Sequence, residues 1–138
     1  MPSEPTVREM RLVVTATNYA DAVHFYREVL GLPELADYSS PDGQVVLLDA
    51  GRATLEIVDR AQAEFIDRVE VGRRVAGHIR VAFEVAESAE TARLLAENGA
   101  TILAYATLTP WQTRNARLEA PAGLQLTLFS DASTAPPD

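Results

Sequence analysis

The sequence predicts an α+β fold in which one order of elements, a strand, a helix and three strands, occurs twice. Three observations carry this. Two segments with helical patterning, NYADAVHFYREVLG (18–31) and SAETARLLAENG (88–99), each close on a glycine, which adopts the left-handed backbone of a helix end without a Cβ penalty. Each follows a run rich in β-branched and apolar residues, LVVTAT after Arg11 and HIRVAFEV at 78–85, as a pleated strand prefers. Each also precedes three further strand-like runs divided by proline and glycine turns.

Taken in order, Asn18 with Asp21 three residues on reads as a helix cap. Helical spacing makes Ala22, Phe25, Tyr26 and Val29 the expected buried stripe and leaves His24 on the surface. The strands PELADYSS (33–40), QVVLLDA (44–50) and ATLEIVD (53–59) follow, with turns at Pro41-Asp42-Gly43 and at Gly51. RAQAEFIDRVEVGRR (60–74) reads as a charged linker, helical in its first half. The second copy then runs HIRVAFEV, the helix from Ser88 to Gly99, and the strands TILAYATL (101–108), TRNARLEA (113–120) and LQLTLFSD (124–131). Its turns fall at Pro110 and at Pro121-Ala122-Gly123. Gly31 matches Gly99, Arg11 matches Arg80, and LEIVD at 55–59 matches LTLFS at 126–130, which marks an internal repeat. The expected organisation is a lead-in (1–10), a first module (11–59), a linker (60–75), a second module (76–131) and a small, Pro-rich, disordered tail (132–138).

Composition excludes several classes. The chain of 138 residues has the size of one domain. Its 20 Asp and Glu against 12 Lys and Arg, with no cationic cluster, would repel a phosphate backbone, so no nucleic-acid partner is expected. The absence of cysteine removes disulfides, thiolate metal sites and cysteine nucleophiles. No apolar run reaches 18 residues, and MPSEPTVREM lacks the pattern of a signal peptide, so a cytoplasmic protein without membrane contact is expected. No Ser-His-Asp order, phosphate-binding glycine loop or HExxH run is present.

HFYREVLGL (24–32), ATLEIVD, HIRVAFEV with its helix ending at ENGA, and TPWQTRNARLEAPAGLQLTLF (109–129) together resemble the vicinal oxygen chelate superfamily. That family includes glyoxalase I, extradiol dioxygenases and fosfomycin- and bleomycin-resistance proteins. The resemblance covers about Arg11 to Asp131 and implies a cup-shaped, mostly antiparallel sheet with helices outside. It also implies a homodimer, and first and fourth strands of each module lying side by side. Relatives commonly hold a divalent metal on four side chains of these strands, usually His and Glu. Counting from the helix motif, the first position falls on Arg11; the others fall on Glu56, Arg80 and Thr127. Arginine stays protonated and only donates, and Thr127 offers a hydroxyl where relatives carry a Glu, so three of the four ligands are lost and no metal or other cofactor is expected.

Strand alternation puts His78, Arg80 and Ala82 on one face, with His78 one step, roughly 6.5 Å, from Arg80. The ligand-binding candidates are Arg11, Val13, Glu56, His78, Arg80, Gln125, Thr127 and Phe129, with Trp111 at the rim and Tyr38 and Tyr105 at matching places in the repeat. Thr15, Thr54 and Val58 share the same alternation. Arg11, Glu56 and Arg80 are expected to form an ion-pair triad, which either neutralises itself or lends an arginine to an anionic ligand. Two functions stay open. One is a metal-free binder of a small organic ligand; the other is a metal-independent lyase or isomerase using Glu56 or His78 for proton transfer and Arg11 and Arg80 for an oxyanion. A carboxylate beside arginine is expected to have a depressed pKa, which favours binding over catalysis. A conventional metal-dependent lyase or dioxygenase is the reading the arginines oppose.

Overall fold

The computed structural model describes residues 6–132; the tail expected to be disordered lies, from residue 133, outside the described residues. The chain forms two compact units, residues 11–80 and residues 6–10 with 81–132, and each repeats the strand, helix, three-strand order.

In the first unit, β1 (Val7–Ala16, entering this unit at Arg11) is followed by α1 (Tyr19–Val23), a π-helical turn (His24–Val29), β2 (Glu34–Asp37), β3 (Val45–Asp49) and β4 (Thr54–Asp59). β1 therefore begins four residues before Arg11. The strand order is β2-β3-β4-β1, antiparallel except for the parallel β1 and β4. Asn18 caps α1 as predicted, its side-chain oxygen accepting from the Asp21 amide at 3.0 Å. Gly31 ends the turn at φ +86°.

The predicted apolar stripe is half wrong. Tyr19, Ala22, Val23 and Tyr26 pack on Ala16, Val46, Leu48 and Ile57, whereas Phe25 and Val29 are exposed. The Leu30 amide bonds the Phe25 carbonyl at 2.8 Å, five residues back. That wider turn adds a residue to the repeat and rotates positions 25 and 29 off the buried face.

The segment expected to be helical in its first half carries an 11-residue helix, α2 (Arg60–Glu70), joined directly to β4. Asp59, the last residue of β4, caps it, accepting from the Gln62 amide at 2.7 Å. Gly43 lets it approach, because a Cβ there would run into the backbone of Gln62. After α2 the chain turns at Gly72.

In the second unit, β5 (Ile79–Val85, in this unit from Val81) precedes α3 (Ser88–Glu97), β6 (Thr101–Leu108), β7 (Thr113–Ala120), a short 3-10 turn (Pro121–Gly123) and β8 (Leu124–Asp131). The order is β5-β8-β7-β6, with β5 and β8 parallel and the others antiparallel. α3 packs its Ala92 against Val85, Ala116, Leu118 and Leu128. Its cap is not its own: no neighbouring side chain caps it, and the Ser88 amide donates instead to Ser130 Oγ on β8 at 3.2 Å. The strands at 101–108, 113–120 and 124–131 match the predicted bounds.

Candidate functional site

In the first unit, one sheet face carries the core against α1 and the other carries the polar candidates. Pairing sets these in three rows: Arg11 beside Thr54 and Asp49, then Val13 beside Glu56 and Leu47, then Thr15 beside Val58 and Val45. Partners in a row point the same way, because the pleat repeats every two residues. Glu56 is 8% exposed and thus lies between Val13 and Leu47, one row from Arg11.

The triad expected from the sequence is present. Arg11 Nη1 stands 3.7 Å from Glu56 Oε1, and Arg80 Nη2 stands 4.0 Å from Glu56 Oε2. Arg80 is buried to nearly the same degree as Glu56, whereas Arg11 is more open to solvent. The expected depressed pKa is overturned. Burial pushes the Glu56 carboxyl above its ordinary value, and the guanidinium charges of Arg80 and Arg11 pull it back without offsetting that cost. A second carboxylate, Glu70 of α2, pushes in the same direction as burial. The physical reason is that both ion contacts are long, while the carboxylate has lost nearly all its water.

Helix α2 supplies what the sequence reading missed. Gln62, Ala63, Ile66, Asp67 and Glu70 form its buried side. Asp67 is fully buried and accepts from Arg74 Nη1 at 2.6 Å and from the Val75 and Ala76 amides at 2.9 Å each. These bonds tie down the segment leading to β5. Ala63, Ala76 and Gly77 thereby meet Val13, Val58 and Arg80 around a small cleft, with Thr15 also on its wall. Spacing of 63, 66 and 70 at helical intervals was the available signal.

Other candidates are placed differently. His78 precedes β5 in a bend and is exposed, so alternation with Arg80 does not apply to it; its carbonyl accepts from the Thr15 amide at 3.0 Å. Tyr38 and Tyr105 are 59% and 77% exposed, each at the outer edge of its own strand set. Those edge positions leave their rings without a covering layer.

In the second unit, Gln125, Thr127 and Phe129 share one face of β8 with Arg117 and Asn115 of β7, set by the pairs Arg117 with Thr127 and Asn115 with Phe129. Arg117, which the sequence reading passed over, is fully buried and donates from Nη1 to Gln125 Oε1 at 2.7 Å. Alternation through Thr113, Asn115 and Arg117 was its signal. Trp111 is half-buried in the turn before β7, beside Gln112 at φ +69°.

The donor set does not fit a divalent metal. Glu56 is the one carboxylate at the ligand positions and two cations flank it, while guanidinium has no lone pair to give. Among the described residues no group of three or more His, Cys, Asp or Glu is placed to hold an ion.

A family described as Glyoxalase/Bleomycin resistance protein/Dioxygenase superfamily matches residues 10–128. No protein of curated function matches the sequence. Among solved structures, a hypothetical protein from Bacillus halodurans C-125 is similar at 16% identity and TM-score 0.69, covering 96% of this chain and 100% of that one. Methylmalonyl-CoA epimerase from Mycobacterium tuberculosis is similar at 15% identity and TM-score 0.67, over 96% and 93% of the two chains. A glyoxalase/bleomycin resistance protein/dioxygenase superfamily member from Vibrio splendidus 12B01 follows at 14% and 0.62, over 91% and 100%. These similarities show the fold.

Proposed function

Because the chain belongs to the glyoxalase/bleomycin resistance protein/dioxygenase superfamily, a scaffold of the kind that hosts unrelated chemistries, we propose that it binds a small organic molecule bearing an anionic oxygen, without a resident metal, at Arg11, Glu56 and Arg80. The observation that carries this is the arrangement of one buried carboxylate between two guanidinium groups, with Arg80 also on the wall of a cleft. Arginine recognises carboxylate and enolate oxygens through charge-assisted hydrogen bonds, and the low polarity of the surrounding wall strengthens them. A thermal-shift comparison tests it. Small organic acids should raise the melting temperature of the wild type and not of Arg80→Gln, and divalent zinc, manganese and iron should leave it unchanged. Elemental analysis finding one transition metal per chain would overturn the reading.

A second reading is favoured by one specific observation. Glu56 holds its proton above the ordinary carboxylate range, which brings it closer to the range useful for a general acid or base near neutral pH. In this reading Arg80 stabilises developing charge on a carbonyl oxygen while Glu56 moves a proton at the adjacent carbon. An epimerase is among the similar structures, which agrees with proton-transfer chemistry on this scaffold. Deuterium exchange at the carbon next to the carbonyl of a small 2-oxo acid, followed by NMR, tests it. Exchange by the wild type and not by Glu56→Gln supports catalysis; equal exchange by both rejects it.

A further inference from the structure

We infer that the far half of α2 and the segment after it form a lid over Arg80 and Glu56, which must lift before an anionic ligand can seat on Arg80. This rests on the proposed anion-binding role of Arg80 and adds the step that controls access to it.

The arrangement in the structure is the closed one. Ala63 of α2 meets Val13, Val58 and Arg80, and Ala76 and Gly77, from the segment between α2 and β5, complete the cover. The space left among them holds about one water. Even the smallest carboxylate is larger than that, so none can seat on Arg80 here while the cover stays in place. Arg80 and Glu56 are accordingly 7% and 8% exposed. Arg11 is more open, with 22% of its side chain exposed. The cover thus divides the two guanidinium groups of the triad into an accessible one and a gated one.

The two ends of the cover are held differently. At the start of α2, the Asp59 cap and the close approach of Gly43 to the Gln62 backbone fix the first turn. Beyond the far end, Gly72 turns the chain at φ +89°, and residues 71–78 form neither helix nor strand. That stretch is tied to α2 by Asp67, which accepts from Arg74 Nη1 and from the Val75 and Ala76 amides. The Arg74 side chain is 41% exposed, so water competes for its share of the attachment. A repulsion works against these bonds. Closing α2 buries Glu70 at 4% exposure, and its charge raises the cost of ionising Glu56. The first turn is therefore the fixed end, and the stretch from Ile66 to Gly77 is the part set to open locally, ahead of the sheet beneath it.

The test pairs two measurements on the full chain: hydrogen exchange of the amides from Ile66 to Glu70, and the affinity for pyruvate read from the side-chain NMR signal of Arg80. When the competent state is a minority, apparent affinity scales with its population. A change that loosens the lid should therefore speed exchange and tighten pyruvate binding by the same factor, while the β3 amides keep their rates. Asp67→Asn, which weakens the hold on Arg74, should raise both by about tenfold. Ile66→Val removes one buried methyl from the lid and should raise both by roughly fourfold, which keeps the test open should the asparagine variant fail to fold. Faster exchange with pyruvate affinity unchanged would overturn the lid and leave Arg80 as an anion binder, as would α2 amides that exchange only together with those of β3. No binding of pyruvate by the wild type or by either variant would overturn the anion-binding reading and the lid with it.

Discussion

Glu56 interacts with two arginines whose distances and burials rank them in opposite orders, so a pair of double-mutant cycles separates the two effects. Arg11 is nearer, at 3.7 Å against 4.0 Å, but its side chain is 22% exposed against 9% for Arg80. At an effective dielectric of about 20, unit charges at these separations attract by roughly 4 kcal/mol, with only a few tenths between the two distances. Solvent screening differs much more. A pair with a partly exposed member falls toward the surface range of about 0.2–1 kcal/mol, whereas loss of a partner from a well-buried pair costs about 3–5 kcal/mol. Since neither contact is short, both couplings should sit below the buried range, at about 2 kcal/mol for Arg80 with Glu56 and about 1 kcal/mol for Arg11 with Glu56. The single change Glu56→Gln should cost less than either coupling suggests. It loses the attraction but also relieves the desolvation that holds the carboxyl above its ordinary value. Urea denaturation of Glu56→Gln, Arg11→Gln, Arg80→Gln and the two double variants gives both couplings. A larger coupling for Arg11 would refute burial as the deciding factor, and additivity within about 0.3 kcal/mol in both cycles would mean that the three charges do not act as a unit.

Four further outcomes are expected. Because the folded Glu56 carboxyl titrates above its ordinary value of 4.5, the native state keeps a proton there that the unfolded chain has released; its contribution is therefore full below that value and lost as pH rises toward the folded value. Urea midpoints of the wild type should fall relative to Glu56→Gln across that window, and a difference that stays flat with pH would contradict the shift. Asp67→Ala removes a fully buried acceptor of three hydrogen bonds, one of them from Arg74, and should cost about 3–5 kcal/mol in chemical denaturation; a loss below about 1 kcal/mol would show that the segment after α2 needs no anchor. Gly43→Ala should cost roughly 1–3 kcal/mol by forcing α2 away from β3, and an unchanged melting temperature would mean the helix is free to shift. The exposed Phe25, Val29, Leu30 and Leu35 agree with a homodimer; light scattering should give twice the 15.0 kDa chain mass, and a monomer at micromolar concentration would rule it out.

The sequence by itself determined the order of elements, because that order is written in local chemistry. Asn18 and Gly31 bound the first helix whatever surrounds them, and the strands at 101–108, 113–120 and 124–131 announce themselves by composition and turn residues. The charge triad was legible only through the family resemblance, which implies that the first and fourth strands lie side by side; strand alternation then puts Arg11 and Glu56 on one face, one row apart. Tertiary structure decided the rest. The outward turn of Phe25 and Val29 depends on a hydrogen bond spaced by five residues, which no 3.6-residue pattern encodes. The cap of α3 comes from Ser130, 42 residues away from Ser88. The protonation of Glu56 depends on how much water its neighbours exclude, and α2 brings Glu70 toward it from a stretch that looks like a charged linker. Sequence names the charges that meet, but the balance between their attraction and the cost of drying them is set by packing that only the folded chain creates.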